Sequence, residues 1–273
     1  MEEEKLKKVL YLAIKASLCA GDEIMKVYRS DFAVEHKEDH SPLTLADQNA
    51  NKVITDILSE TEIPVLSEEG RTIAYSERKA WEYLWVVDPL DGTKEFVKRN
   101  GEFTVNIALV KNQRPILGVI YQPVTQILYY ALENTGSFKI SSIENAVPET
   151  DELIRQSQRL PLKNLQRKFT VMASRSHRSN ETLQYINELQ KTHREVEWMA
   201  AGSSLKFCIV AEGSADVYPR FAPTREWDTA AGQAILEQAG GSVKNYPAGG
   251  PMLYNKADLL NSWFIAKGKE KIS

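Results

Sequence analysis

The sequence of 273 residues predicts an α/β protein in two halves, an α+β half followed by an α/β half. Three observations carry this. Apolar residues recur at helical steps over the first segment. A series of short apolar runs separated by turn residues follows. After a polar stretch, strand-like and helix-like segments alternate to the C-terminal end.

From Glu3 to Tyr28, Leu6, Val9, Leu10, Ala13, Ser17, Ala20, Ile24 and Val27 fall at three- and four-residue steps, predicting a long amphipathic helix. A polar loop runs from Ser30 to Pro42. A second helix is expected near Thr44, with Ala50, Val53, Ile54, Ile57 and Leu58 on one face and Thr44 and Asp47 in capping-box spacing. Strands are expected at Pro64-Val65-Leu66 and Leu84-Trp85-Val86-Val87, each ending in acids. Further strands at 104–110, 116–121 and 127–132 are joined by Asn112-Gln113-Arg114-Pro115 and Gln122-Pro123, so an antiparallel meander is expected.

Residues 141–168 are polar and lack a strong period. The boundary between the halves is expected inside them, giving 1–145 and 146–273. The second half then predicts a strand at 169–173, a helix at 181–190, a strand at 196–199, a helix at 203–212, a strand at 215–218, a helix at 228–239 and a strand at 263–266.

Composition narrows the function. Lys and Arg total 34 against 37 Asp and Glu, a net charge of −3, so no broad footprint for a nucleic-acid polymer is expected. No run approaches the roughly 18 apolar residues of a membrane span. The start, Met-Glu-Glu-Glu-Lys, is acidic, unlike a secretory signal. Cys19 and Cys208 stand far apart in apolar helical patterns and read as buried thiols, which fits a reducing, cytoplasmic compartment. His36 and His40 lie in a polar loop without a metal-binding helix pattern, and His193 is expected in solvent.

The chemistry concentrates in acids at strand ends. Trp85-Val86-Val87-Asp88-Pro89-Leu90-Asp91-Gly92-Thr93 delivers two carboxylates onto a loop stiffened by Pro89, with Gly92 permitting a sharp turn and Thr93 adding a hydroxyl. Upstream, Leu66-Ser67-Glu68-Glu69-Gly70 is another apolar strand ending in acids. Downstream, Glu226-Trp227-Asp228 stands at the mouth of a helix. Each acid alone reads as a cap or a solvated side chain. Together they are what a hard cation requires: Mg²⁺ takes oxygen ligands and binds through a few carboxylates plus substrate phosphate.

This set resembles the signature of the Mg²⁺-dependent, lithium-sensitive phosphatases, the superfamily of inositol monophosphatases, fructose-1,6-bisphosphatases and 3′(2′),5′-bisphosphate nucleotidases. The resemblance rests on Asp47 in Thr-x-Ala-Asp, Glu68-Glu69, Asp88-Pro89-Leu90-Asp91-Gly92-Thr93 and Trp227-Asp228-x-x-Ala231-Gly232, in the superfamily's order and over nearly the whole chain. The CysQ-like bisphosphate nucleotidase branch is the nearer match, through Asp91-Gly92-Thr93-Lys94-Glu95-Phe96 continuing over Lys98 to Asn106, Ser174-Arg175-Ser176-His177, Tyr254-Asn255-Lys256 and Leu259-Leu260-Asn261. An inositol monophosphatase typically has Thr-Asn in place of Lys94-Glu95.

The resemblance implies a sugar-phosphatase-like layered αβαβα sandwich with the site between its halves. It implies that Glu68, Asp88 and the Leu90 carbonyl hold one Mg²⁺ and that Asp88, Asp91 and Asp228 hold a second, with two or three ions in all and Li⁺ as inhibitor. Thr93 and Asp47 would take a proton from the attacking water, and the Gly92 and Thr93 amides would cradle the phosphate beside Asp91. The branch further implies His177, Ser203, Lys206 and Arg220 as contacts for the nucleotide and its second phosphate. Glu226 reads equally as an acceptor for a sugar hydroxyl and as a solvated loop acid.

The implied reaction releases the 3′-phosphate of 3′-phosphoadenosine 5′-phosphate, giving AMP, with 3′-phosphoadenosine 5′-phosphosulfate as a further substrate. The small-molecule nucleotide bisphosphate is the expected partner. Both monomer and homodimer, and both a free cytoplasmic enzyme and one peripheral on the inner face of the cell membrane, remain open. An inositol or other sugar-phosphate phosphatase is the alternative within the superfamily, and a non-catalytic nucleotide or Mg²⁺ sensor the alternative outside it. A haloacid-dehalogenase-type phosphatase needs D-x-D, whereas Asp88 and Asp91 have two residues between them.

Overall fold

The computed structural model describes residues 1–30, 42–143, 147–162, 167–173, 179–193 and 195–270, and of 42–44 the backbone only. Helix α1 (Glu3–Tyr28) and helix α2 (Pro42–Leu58) lie against each other. The second begins two residues before the expected Thr44, at Pro42, a residue suited to a helical first turn because its missing N–H has no partner to lose.

One sheet has seven strands in chain order: β1 (Val65–Ser67), β2 (Tyr83–Asp91), β3 (Thr104–Lys111), β4 (Arg114–Gln122), β5 (Ile127–Leu132), β6 (Gly136–Ser141) and β7 (Gln158–Arg159). Strands β1 and β2 pair in parallel, and every later neighbour is antiparallel, as expected of a meander. A second sheet has the order β11 (Ser242–Asn245), β12 (Phe264–Lys267), β10 (Val217–Arg220), β8 (Phe169–Ala173) and β9 (Val196–Ala200). Strands β8, β9 and β10 are mutually parallel, and β12 runs antiparallel to both its neighbours.

Alternation along the strands builds the layers. Trp85, Val87, Val105, Ile107, Leu117 and Val119 face α1 and α2. Leu84, Val86, Ala108, Val110 and Ile120 face the other way, onto helix α7 (Leu205–Ala211) and helix α8 (Ala230–Gln238). The second sheet packs on the far side of those helices through Tyr218, Val243, Phe264 and Ala266. Helix α6 (Asn180–Thr192) covers its outer face at Val171, Ile186 and Val217. The result is the expected five-layer αβαβα sandwich. Because the first sheet is covered on both faces, its central strands read as largely apolar runs in the sequence. At Gly118 an added Cβ would lie 2.4 Å from the Ala231 carbonyl oxygen, so glycine there lets α8 approach the sheet.

Several short elements were not expected from sequence: helix α3 (Tyr75–Arg78), helix α5 (Thr150–Gln156) and strands β6, β7 and β11. Helix α5 buries only Thr150 and Leu153, too few apolar positions to show a period, and both residues of β7 are exposed. Short helix α4 (Thr93–Val97) starts directly after Gly92.

Candidate active site

The site begins with an irregularity in β2. Asp88 pairs with Asn106 and Asp91 with Thr104, so three steps along β2 match two along β3. In a regular strand, residues three apart face opposite sides. The bulge at Pro89-Leu90 restores Asp88 and Asp91 to one side. Proline is tolerated there because a bulge needs no ladder hydrogen bond from it. The Leu90 side chain anchors the bulge in the core, while its N–H donates to Asp88 Oδ1 at 3.1 Å.

Two further acids arrive from other elements. Glu68 follows β1, whose parallel pairing with β2 sets strand ends side by side; its N–H donates to the Val87 carbonyl at 3.1 Å. Asp228 stands just before α8, its Oδ2 accepting from the Arg225 N–H at 2.9 Å. One carboxylate oxygen from each of Glu68, Asp88 and Asp228 falls within 4.8 Å of the others. Asp91 Oδ2 accepts from Ser204 Oγ at 2.7 Å and Asn106 Nδ2 at 3.2 Å.

This crowding raises proton affinity. Asp88 is buried, and its carboxyl is pushed well above the usual range, first by burial and then by the charges of Asp91, Glu68, Asp228 and Asp47. Glu68 is raised by desolvation, then by Asp91 and Glu69, and Asp228 by burial and then by Asp91. Like charges in a desolvated site repel, and a cation is the natural counterweight. An all-oxygen donor set at strand and helix ends fits a hard divalent ion.

Asp47 is buried on α2, and its Oδ1 has no hydrogen-bond partner. Burial, then the charges of Glu69 and Glu68, pushes its pKa up to about 8. Thr93 is exposed at the start of α4. Gly92 before it has φ +97°, and an added Cβ there would lie 2.1 Å from Ser203 Oγ, so both backbone and space require glycine.

Beside the acids lies a cavity of about 210 Å³ whose walls include Asp91, Lys94, Lys206, Arg220, Thr224 and Asp228. Lys206 is buried; its Nζ donates to the carbonyls of Ser203 at 2.6 Å and Ala201 at 3.2 Å and lies 5.4 Å from the Tyr218 ring centre. Burial lowers its pKa to about 8. Arg220 donates through Nη2 to the Pro223 carbonyl at 3.2 Å, while its buried Nε has no partner. The structure thus brings Lys206 and Arg220 onto one wall. Ser203 Oγ is engaged with the backbone, 2.8 Å from the Asp91 carbonyl and 2.7 Å from that of Glu102. His177, with the rest of Ser174 to Arg178, lies outside the described residues, as do His36 and His40.

Sequence reasoning missed the supports. Asn106 and Ser204 hold Asp91, and Asn106 Nδ2 also donates to Ser204 Oγ at 2.9 Å. The polar Asn106 interrupts an otherwise apolar strand, a signal that could have singled it out. Glu226 is neither at the cavity mouth nor in solvent: it is fully buried, accepting from the Asn255 and Lys256 N–H groups. His193 is also not free in solvent; it stacks on Phe169 with ring centres 3.7 Å apart. Cys208 is buried, Cys19 half-buried, and both thiols are free.

Residues 5–271 match the inositol monophosphatase family. The chain is 46% identical over 231 residues to the 3′(2′),5′-bisphosphate nucleotidase CysQ of Salmonella typhimurium, spanning 83% of this chain and 86% of that protein. CysQ from Bacteroides thetaiotaomicron, a bacterial member of the inositol monophosphatase family, superposes with a TM-score of 0.90 at 52% identity, over 95% of this chain and 97% of that one. An inositol monophosphatase from Zymomonas mobilis shares the fold, with a TM-score of 0.73 at 22% identity over 95% and 92% of the two chains. No helix among the described residues is long and apolar enough to cross a membrane.

Proposed function

We propose, because the chain belongs to the inositol monophosphatase family and is a phosphoric monoester hydrolase, that it is a 3′(2′),5′-bisphosphate nucleotidase. Its substrate is 3′-phosphoadenosine 5′-phosphate, hydrolysed to AMP and phosphate, with 3′-phosphoadenosine 5′-phosphosulfate a further substrate. Its place is in nucleotide and sulfur metabolism. The observation that carries this reading is the meeting of acids and cations in one cavity: Asp91 and Asp228, the latter clustered with Glu68 and Asp88, line it together with Lys206 and Arg220. A substrate with two phosphates needs both.

The family is metal-dependent, and the donor chemistry fits Mg²⁺, two or three ions, held by Glu68, Asp88, the Leu90 carbonyl, Asp91 and Asp228. When bound, Mg²⁺ polarises the phosphoryl group and makes water a stronger acid. The remaining work falls to the chain. Thr93 orients the attacking water, and Asp47 takes its proton through Thr93. The unpartnered, buried Oδ1 of Asp47 and its raised proton affinity support that role. Amides of Gly92 and Thr93 hold the scissile phosphate. Lys206 stays protonated near neutral pH and, with Arg220, pairs with the second phosphate. Ser203 fixes the Gly92 loop that faces the substrate. His177 completes the nucleotide contacts. Li⁺ would inhibit, as the family resemblance implies.

Phosphate release tests the reading, with Mg²⁺ and with or without Li⁺, on 3′-phosphoadenosine 5′-phosphate, inositol 1-phosphate and fructose 1,6-bisphosphate. Lithium-sensitive turnover greatest on the nucleotide is expected, and Thr93→Ala is expected to bind it without turnover. A preference for inositol 1-phosphate overturns the substrate assignment.

A further inference from the structure

The motif Tyr254-Asn255-Lys256 with Leu259-Leu260-Asn261 has no part in the reaction above, yet it is tied to both loops that supply the acids. On one side is the loop 224–229 that carries Asp228. Glu226, with none of its surface exposed, accepts from the Asn255 N–H at 2.6 Å, the Lys256 N–H at 3.0 Å and Lys256 Nζ at 2.6 Å. Lys256 Nζ also donates to Asn261 Oδ1 at 3.2 Å. Asn261 Nδ2 donates to the Arg225 carbonyl at 2.6 Å and to Thr229 Oγ1 at 3.0 Å. The backbones join as well: the Glu226 N–H meets the Leu259 carbonyl at 3.0 Å, and the Asn261 N–H meets the Thr224 carbonyl at 2.8 Å.

On the other side is the chain that leaves Glu68 and ends in α3. Arg78 of α3 is almost fully buried, at 2% exposure. Its Nη1 donates to Asn255 Oδ1 at 2.8 Å, its carbonyl accepts from Asn255 Nδ2 at 2.8 Å, and its Nη2 donates to the Ala257 carbonyl at 3.2 Å. Its Nε returns to the Ile73 carbonyl at 3.4 Å, holding the loop between Glu68 and α3. Asn255 is therefore bonded to Arg78 through its side chain and to Glu226 through its backbone. Burying a glutamate and an arginine, with a half-buried lysine beside the glutamate, is costly in solvation, and well-packed apolar residues stabilise a fold at least as well. What such a network supplies is fixed geometry.

We propose that residues 254–261 form a clamp that sets the spacing of Glu68 and Asp228: Asn255 holds the Glu68 side through Arg78, while Glu226, Lys256 and Asn261 hold the Asp228 side. These are positioning residues, acting on cation affinity through the carboxylates they space. The inference rests on the metal-site reading of the acidic cluster and is independent of which phosphate ester is the substrate.

The test is Mn²⁺ binding to the metal-free full chain without substrate, read from the electron paramagnetic resonance signal of free Mn²⁺. Asn255→Ala is expected to weaken Mn²⁺ binding about 10- to 100-fold, the range seen when groups that orient metal ligands are removed, with its circular dichroism unchanged. Arg78→Lys, which keeps the charge but loses the fork of donors, carries the same expectation should Asn255→Ala misfold. Excess Mg²⁺ restores kcat in both, with KM for substrate little changed. As a control, Ile186→Val under α6 lowers Tm and leaves Mn²⁺ binding as in the wild type. Folded variants with wild-type Mn²⁺ affinity overturn the clamp and leave the metal site standing. A wild-type chain that binds no Mn²⁺ overturns the metal reading and the clamp with it.

Discussion

Ser204 Oγ donates to Asp91 Oδ2 across 2.7 Å, and the same oxygen lies 2.9 Å from the Asp228 carbonyl. One hydroxyl, just before α7, thus links an acid of the first sheet to the loop that opens α8. Ser204→Ala is expected to leave Asp91 with the Asn106 amide alone and to raise the Mg²⁺ concentration for half-maximal activity by about tenfold. A Mg²⁺ titration of kcat checks this, and an unchanged midpoint would show that Asn106 suffices.

Gly92 faces Ser203 on the same seam. Gly92→Ala combines a left-handed backbone with a Cβ placed 2.1 Å from Ser203 Oγ. It is expected to destabilise the protein by about 2–4 kcal/mol, the joint effect of backbone strain and overpacking. Ser203 itself has φ +48°, so Ser203→Gly relieves strain and removes the clashing oxygen. The double variant is expected to recover part of the loss. Urea denaturation of the four proteins gives the coupling directly.

The raised carboxyls of the site give the metal-free protein a pH dependence, and Asp47 contributes to it in a definite direction. Its pKa rises from 3.8 unfolded to about 8 folded, so between those values the folded state binds more protons. Its contribution is full below about pH 4 and is lost as pH rises toward 8. In a chelator, Tm is expected to fall from pH 5 to pH 8, and Asp47→Asn is expected to flatten that slope. A Tm that rises over this range in the wild type would remove the basis for Asp47 as proton acceptor.

Lys206 has the opposite sense. Burial lowers its pKa to about 8, so the ammonium is present at pH 7 and disappears above. KM for 3′-phosphoadenosine 5′-phosphate is expected to rise as pH passes 8, while kcat changes less. Lys206→Met is expected to have a raised KM, about tenfold or more, that no longer depends on pH in this range. Steady-state kinetics from pH 6.5 to 9.5 in the two proteins decide it.

Asp91→Asn keeps shape and removes a charge. Turnover is expected to drop by more than about a hundredfold. The metal-free variant is expected to melt no lower than the wild type, since one of several repelling carboxylates is gone. Phosphate release and thermal denaturation in a chelator report the two halves of this expectation.

The long elements were legible because burial imposes a period. Helix α1 buries Val9, Ala13, Ser17, Ala20, Ile24 and Val27 at three- and four-residue steps, and β3, β4 and β5 are mostly apolar since both faces of their sheet are covered. Elements with little buried surface, such as α5 and β7, leave no such trace. Within the site, Asp88, Asp91 and Glu68 stood out because they close apolar strand runs, and Asp228 because it stands at the mouth of a helix. Asn106 left a break in an apolar strand, but nothing local says that Asp91 will lie opposite it; Ser204 and Arg78, lone polar residues at or beside short helices, left no trace at all.

From the sequence alone come the layer types, the acids at strand and helix ends, and the glycine and proline that shape the Asp88–Thr93 loop, all properties of the chain's local order. The tertiary structure decided the rest. The bulge turns Asp88 and Asp91 to one side, Ser204 and Asn106 secure Asp91, and Glu226 is taken from the cavity into a buried network with Asn255 and Lys256. Each of these depends on which distant backbone lies opposite a given side chain. That is set by the packing of the two sheets against α7 and α8, an arrangement that no local window of sequence contains.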